Sequence, residues 1–242
     1  IGVIPCRYQS SRFPGKPLAP ICGRPMVWHV WHQARQARLV DELIVATDDD
    51  RIREACAAFD FRTAMTAGTH ETGTDRVAEV AARTDGDIYV NIQGDEPLID
   101  PAGIDAVVTA MQGGVQVSNG FSFIADCGEV ESRHIVKVVT RADGMALAFS
   151  RLGIPHSKDP GQRYKKQLGL YAFRREAILR FPSLPRGELE IAESVDMYRF
   201  LENQYEIRMV AVPENSSIPV DEPGDIPRVE RMMMREKGER DH

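Results

Sequence analysis

The stretch "RPMVWHVWHQARQARLVDELIVATDDD" (residues 24–50) decides the fold class. Its first part places apolar residues at helical spacing, and its second part contains the short apolar run "LIVAT", which is typical of a buried strand. Three acidic residues follow the run directly. A helix that leads into a buried strand, which then ends in a polar loop, is the repeating unit of a parallel α/β sheet.

The same unit recurs on both sides of this stretch. "IGVIP" (residues 1–5) precedes it, and "FRTAMT" (61–66) and "DIYVNIQGDEP" (87–97) follow it, with helix-like charged segments between them. The sequence therefore predicts an α/β fold with a mostly parallel sheet. In such sheets ligands bind outside the carboxyl ends of the strands, so candidate site residues are sought there.

The pattern changes after Gly113, where strands become more frequent. We predict strands within residues 115–125, 134–141, 145–151 and 205–213, a strand that continues into a helix over 165–181, and a helix over 187–204. A closing helix ends in a polar tail at about 230–242, which we expect to be disordered. No linker is long enough to separate two domains.

Composition excludes several classes of protein. The 242 residues carry a formal net charge of −6, which argues against a nucleic-acid binder with a broadly basic surface. No apolar run is long enough for a membrane helix, and no signal peptide is visible. The four cysteines form no CxxC pair, which favours reduced thiols in a cytoplasmic protein.

The loop "SSRFPGKPL" (residues 10–18) places Lys16 after a glycine. It is not a P-loop, because Lys16 is followed by Pro17 and no adjacent Ser or Thr is available to hold magnesium. Arg12 and Lys16 can nevertheless bind a triphosphate together with serine hydroxyls and loop N–H groups. The residues leave two interpretations open, a phosphate site and a solvated basic turn.

Carboxylates follow three of the predicted strands. Asp95 and Asp221 each lie where a strand-like run ends, and magnesium bound to phosphates is commonly held by one or two such carboxylates. The alternative is that Asp95 caps a helix and Asp221 lies in a turn. For the "DDD" at residues 48–50 we favour helix capping and solvation over metal binding.

Several motifs in chain order resemble those of the bacterial CMP-sugar synthetases, in the branch that activates 3-deoxy-manno-octulosonate (Kdo). They are "IPCRYQSSRFPGKPL", "GRPMVWHV", "ELIVATDDDRI", "ETGTDRVAE", "VNIQGDEPLI", "IVKVV", "LGLYAF", "LEIAESVDMYRFLEN" and "VDEPGDIPRV". The resemblance implies one cytidylyltransferase domain over residues 1–242, with a Rossmann-like three-layer α/β/α sandwich of the nucleotide-diphospho-sugar transferase type. It also implies a small β extension that forms a homodimer.

The family reaction joins CTP to an acidic acceptor, releases pyrophosphate and requires Mg²⁺. Matched residue by residue, the resemblance implies CTP binding by Arg7, Ser11, Arg12, Lys16, Arg76 and Gln93, metal binding by Asp95 and Asp221, and acceptor binding by Gln93, Gln167, Tyr171 and Asp196. Arg12, Lys16, Asp95 and Asp221 are the catalytic candidates. They would position the acceptor oxygen for in-line attack on the α-phosphorus and neutralise the charge on the departing pyrophosphate.

Departures from the family pattern lie on the acceptor side. Gln167 stands for a histidine, Asp196 for a glutamate and Lys158 for an arginine, while "QVSNGFSF" stands for "GMATL". The first prediction for the acceptor is Kdo or a related sugar acid, and the alternative is a small phosphonate such as phosphonoformate. A non-catalytic nucleotide sensor is disfavoured, because a sensor has no need for both metal carboxylates.

Overall fold

A computed structural model describes residues 1–10, 12–159, 161–213 and 219–240. The strands are β1 (Gly2–Cys6), β2 (Pro20–Ile21), β3 (Arg24–Pro25), β4 (Leu43–Thr47), β5 (Thr63–Met65), β6 (Ile88–Ile92), β7 (Val117–Phe123), β8 (Lys137–Thr140), β9 (Ala146–Ser150), β10 (Lys165–Arg174) and β11 (Ile207–Ala211). The predicted strands are thus confirmed, β4 being buried along its whole length.

The helices connect the strands in the predicted alternation. They are α1 (Met26–Ala34), α2 (Asp50–Ala57), α3 (Gly73–Arg83), α4 (Pro101–Thr109), α5 (Cys127–Glu131), α6 (Arg175–Arg180), α7 (Glu188–Glu193), α8 (Met197–Glu202) and α9 (Ile226–Arg240). Local sequence explains where α2 and α3 begin. Asp49 caps α2 by accepting from the Arg51 N–H, and Thr72 and Asp75 form a capping box for α3.

Most strands join one sheet in the order β11-β7-β10-β6-β1-β4-β5. The half formed by β6, β1, β4 and β5 is parallel, as predicted, whereas β10 is antiparallel to both β6 and β7. β8 branches from β10 and pairs with β9, so these two strands form a small extension at the side of the sheet.

Helices cover both faces of the sheet. One core packs α3, α6 and α8 against it, through residues such as Val77, Ile178 and Phe200. The other packs α1, α2 and α4, through residues such as Val30 and Ile104. The predicted three-layer α/β/α sandwich is confirmed, and it brings the carboxyl ends of β1, β4 and β6 to one edge.

The helix predicted over residues 187–204 is interrupted. Ser194 lies in the left-handed region at φ 52°, and its N–H donates to the Glu190 carbonyl, so α7 ends there. Helical periodicity in the sequence does not reveal the break. The turn is explained by tertiary contact, because it folds Arg199 of α8 back onto Glu190 of α7.

The C-terminal segment is helical as far as Arg240, and residues 241–242 lie outside the described residues. Disorder of the 230–242 tail therefore stays a prediction. Among the described residues, no helix has the length and apolar character needed to cross a membrane.

Candidate active site

The loops that follow β1 and β6 enclose a cavity of about 350 Å³, here called the first cavity. It collects nearly all residues predicted for nucleotide and metal binding: Arg7, Arg12, Lys16, Arg76, Gln93, Asp95 and Asp221. Ser11 lies outside the described residues, so its contribution stays a prediction. Sequence reasoning placed these side chains in separate loops, and the parallel sheet brings them together.

Two glycines, Gly15 and Gly94, allow the backbone conformations of the loops after β1 and β6. Gly15 adopts φ +73°, which favours glycine, and its N–H donates to the Tyr8 carbonyl. Lys16 begins a short 3₁₀ turn (Lys16–Leu18) with Pro17 as its second residue, and this turn holds the lysine in the loop after β1. A Cβ atom at Gly94 would lie 2.5 Å from the Pro5 carbonyl oxygen, so the loop after β6 can cross the end of β1 only with glycine there.

The four catalytic candidates form one charged cluster. The Lys16 ammonium lies 2.6 Å from Asp95 Oδ2 and 3.9 Å from Asp221 Oδ1, and the Arg12 guanidinium lies 3.0 Å from Asp221 Oδ1. The Val220 N–H donates to the Asp95 carbonyl at 2.9 Å, which ties the two carboxylate loops together. These contacts disfavour the interpretation of residues 10–18 as a solvated basic turn.

The carboxylates suit magnesium. Lys16 touches both Asp95 and Asp221, so their oxygens face a common position that a cation can occupy. In the described part of the chain, no group of three or more His, Cys, Asp or Glu side chains could hold a metal ion by itself. Two hard oxygen donors with room for phosphates and water are the usual Mg²⁺ arrangement in nucleotide sites.

Asp48 corrects the interpretation of the acidic run at 48–50. Asp49 caps α2 as predicted, but Asp48 accepts from Arg76 Nη2 at 2.8 Å. Arg76 is only 3% exposed, and its Nη1 donates to the Thr66 hydroxyl at 2.6 Å. Asp48 is therefore part of the wall that orients Arg76. Because the two residues are 28 positions apart, no local sequence pattern predicts this pair.

A second cavity of about 540 Å³ lies beside the first. The two meet where Gln93 of the first cavity passes over Gly169 of the second, so closely that a Cβ at position 169 would lie 2.4 Å from Gln93 Cγ. Gln167 and Tyr171 line the second cavity, as the acceptor prediction requires. Lys166, His134 and Arg228 also line it.

Tyr171 and Asp196 lie deeper than the other acceptor candidates. Burial, together with the charges of Asp196 and Glu96, raises the pKa of the Tyr171 hydroxyl well above its usual value. Burial also raises the pKa of Asp196, although its carboxylate accepts from the Thr74 hydroxyl at 2.5 Å. Asp196 is absent from the described residues that line the two cavities, and its contact with α3 places it behind them. Its acceptor role stays a prediction.

A buried ion-pair network supports α3, whose N-terminus faces the first cavity. Arg199 donates to both Glu190 carboxylate oxygens, at 2.9 and 2.6 Å, and its Nη1 lies 3.5 Å from Asp75. Both members of the Arg199–Glu190 pair are nearly inaccessible to solvent. Asp75 in turn forms the capping box that begins α3, so the network links α7 and α8 to the cavity wall.

Glu190→Gln is expected to lower the free energy of unfolding by about 3–5 kcal/mol, because it leaves the Arg199 charge buried without its partner. Urea denaturation measures this loss. Glu188→Gln, on the exposed side of the same helix, is the matched control and should change stability by less than about 0.5 kcal/mol. Equal, small effects of the two substitutions would show that the pair contributes little.

An α/β/α sandwich whose cavity gathers two loop carboxylates, Asp95 after β6 and Asp221 before α9, and two phosphate-compatible cations is typical of a nucleotidyltransferase. Comparisons with known proteins give the family. The cytidylyltransferase family matches residues 1–208, and the chain belongs to that family. The fold is that of the nucleotide-diphospho-sugar transferases.

Individual relatives match over nearly the whole chain. The 3-deoxy-manno-octulosonate cytidylyltransferase of Geobacter metallireducens is 45% identical, covering 96% of this chain and 97% of that protein. The same enzyme of Myxococcus xanthus is 44% identical, with 98% of each covered. A solved structure of CMP:2-keto-3-deoxy-manno-octonic acid synthetase complexed with CTP is 38% identical, with a TM-score of 0.91 and 98% of each chain covered.

Proposed function

We propose that the protein is a Mg²⁺-dependent cytidylyltransferase that converts CTP and Kdo into CMP-Kdo and pyrophosphate. The observation that carries this proposal is the cluster of Arg12, Lys16, Asp95 and Asp221 in a cavity that opens onto a second, partly cationic cavity. The relatives that match over nearly their full length support the choice of CTP and Kdo.

In this proposal the first cavity holds the triphosphate and the second holds the acceptor. An acceptor hydroxyl attacks the α-phosphorus in line and loses its proton to solvent. A new P–O bond forms, and the bond to the bridging oxygen of the β-phosphate breaks. Arg12 and Lys16 stabilise the charge that collects on the departing pyrophosphate. The chain contributes chiefly by positioning the reactants and by placing fixed charges around the reacting phosphate.

Asp95 and Asp221 would hold the magnesium ion. When bound, the ion neutralises phosphate charge and lowers the pKa of a coordinated hydroxyl. Lys16, whose ammonium lies 2.6 Å from Asp95 and 3.9 Å from Asp221, would bind the triphosphate beside this ion.

The second cavity provides positive charge for an anionic acceptor. Lys166 is already paired with Glu129 at 3.1 Å. Arg228 is exposed at the start of α9, and no ion pair involves it among the described residues. We assign Arg228 as a contact for the acceptor's acid group, because guanidinium groups bind carboxylates through two parallel hydrogen bonds.

Arg228→Ala is expected to raise the KM for Kdo about tenfold, the effect of losing one charge-assisted contact, while the KM for CTP stays the same. Arg231→Ala removes an exposed arginine from the same helix and is the control. Steady-state kinetics with one substrate varied at a time separates the two constants. An unchanged KM for Kdo would remove Arg228 from the acceptor site.

The experiment that tests the proposed function is pyrophosphate release with Mg²⁺, each of the four ribonucleoside triphosphates, and either Kdo or phosphonoformate at matched concentrations. We expect turnover with CTP and Kdo. Turnover with phosphonoformate alone would refute the sugar-acid acceptor and keep cytidylyl transfer. Release with neither acid, combined with tight CTP binding, would favour a nucleotide sensor.

A cytoplasmic homodimer completes the proposal. β9 pairs only with β8 among the described strands, and Leu147 on this open strand is 57% exposed. Exposed strand edges with apolar side chains are usually covered by another surface. Sedimentation at micromolar concentration is expected to show a dimer, and Leu147→Lys should shift the protein toward monomer. A wild-type monomer would contradict the assignment.

A further inference from the structure

The strand that carries Gln167 and Tyr171 is bulged, and one buried side chain holds the bulge. Gln167 of β10 lies opposite Phe121 of β7, and Tyr171 lies opposite Asn119, so the intervening stretch of β10 is longer than that of β7. Such a bulge takes backbone groups out of the regular ladder. The Asn119 side chain is fully buried, and its Nδ2 donates to the carbonyls of Leu168 at 2.9 Å and Leu170 at 3.0 Å.

The bulge also shapes the contact between the two cavities. It presents Gly169 to Gln93, and a side chain at position 169 would overlap the Gln93 side chain. Because Asn119 binds the carbonyls on both sides of Gly169, it keeps this backbone in place. Asn119 thus supports Gln93 although it lies on β7, the neighbouring strand.

The same contacts fix the orientation of a second amide. Nδ2 of Asn119 must be the end that faces the carbonyls, so Oδ1 is left to accept, and Gln167 Nε2 donates to it at 2.9 Å. The Gln167 amide therefore has a defined direction at the wall of the second cavity. Its Oε1 accepts no hydrogen bond within the described part of the chain.

We propose that Asn119 is a positioning residue of the acceptor site: it holds the bulge beneath Gln93 and turns the Gln167 amide so that Oε1 accepts a hydrogen bond from a hydroxyl of the acceptor. The proposal rests on the proposed function, because it assumes that the second cavity binds a sugar acid. The "SNGF" segment, which contains Asn119, would then affect specificity for the acceptor without touching the acceptor itself.

The test combines acceptor analogues with substitutions. Wild-type protein is assayed with Kdo and with its monodeoxy analogues, and one analogue is expected to have a KM raised about tenfold, because it lacks the hydroxyl that Gln167 binds. In Asn119→Ala and in Gln167→Met, that analogue and Kdo should differ by less than about twofold. The KM for CTP should stay within about twofold of wild type in Gln167→Met, because Gln167 lines only the second cavity among the described residues.

Gln116→Met is the control, because Gln116 directly precedes β7 and does not line the second cavity among the described residues. This variant should keep the full tenfold discrimination between Kdo and the analogue. Discrimination that persists in Asn119→Ala, or a KM for CTP that rises in Gln167→Met as much as the KM for Kdo, would overturn the proposal. If Asn119→Ala fails to fold, the Gln167→Met result decides, because that side chain lies at the cavity wall.

A separate readout does not depend on the acceptor. The Gln167 side-chain amide protons, observed by NMR in ¹⁵N-labelled protein, are expected to exchange slowly in wild type and at least tenfold faster in Asn119→Leu, which removes the oxygen that accepts from the Gln167 amide. Unchanged exchange would refute the orientation argument. If the exchange rates differ as expected but the wild-type protein does not turn over Kdo, only the proposed acceptor is refuted.

Discussion

Replacement of Asp95 by Asn is expected to lower kcat for pyrophosphate release by about 10²–10³-fold, and replacement of Asp221 by Asn should have an effect of similar size. Removing one preorganised charge at a reacting phosphate typically costs this much. Asn keeps the volume and one oxygen of each side chain, but it removes the negative charge that faces Lys16 and the metal position. Initial rates at saturating CTP, acceptor and Mg²⁺ measure the loss.

Asp50→Asn is the control for both substitutions. Its side chain is 72% exposed on α2 and pairs only with a neighbouring surface arginine among the described residues. Activity should stay within about twofold of wild type, and circular dichroism should be unchanged for all three variants. Near-normal Mg²⁺-dependent turnover by either the position 95 or the position 221 variant would remove that residue from the metal site.

Lys16→Met is expected to lower kcat/KM for CTP by about 10–100-fold, which corresponds to the loss of a charge-assisted contact worth about 1.5–3 kcal/mol. Methionine keeps most of the aliphatic stem and removes only the ammonium, which lies 2.6 Å from Asp95. Because the proposal assigns the lysine to the triphosphate, the KM for the acceptor should change little.

Arg53→Met removes a comparable cation from the surface of α2 and is the matched control. Kinetics with CTP varied at fixed acceptor provides the comparison. If Lys16→Met and Arg53→Met have the same small effect, residues 10–18 form an ordinary basic turn, and the triphosphate lies elsewhere.

The position of the site could be predicted from the sequence because it follows from strand ends. Asp95 lies in the loop that begins after Ile92, the last residue of β6, and Lys16 lies in the loop after β1. Parallel neighbours in a sheet bring such loops to one edge, whatever their separation along the chain. The fold class and the family could also be predicted, because both depend on local features of the sequence. These features are the periodicity of the strands and helices and the motifs of the loops.

Side chains that act through other side chains could not be predicted. Asp48 supports Arg76 from 28 positions away in the sequence. Asn119 contacts Gln167 from 48 positions away. Whether these side chains meet depends on the register of the strands and on burial, and no local sequence pattern predicts either. Arg228 was missed for a different reason: the helix α9 has ordinary surface composition, and only the fold places its start beside the second cavity.

The break at Ser194 shows a third limit. Residues 187–204 have helical spacing throughout, and a continuous helix would keep Glu190 and Arg199 apart on one axis. Ion pairing between them, together with packing of Phe200 in the core, stabilises the folded-back arrangement over the straight helix. Tertiary contacts override local propensity here.

The central claim is that this protein transfers a cytidylyl group, and the fate of the phosphates tests it most directly. Parallel reactions with Mg²⁺ and Kdo would contain either [α-³²P]CTP or [γ-³²P]CTP. We predict that the α label appears in CMP-Kdo and the γ label in pyrophosphate, in equal amounts and at equal rates. Recovery of the α label in CDP with the γ label in inorganic phosphate, or no transfer of the α label to any acid, would contradict the account.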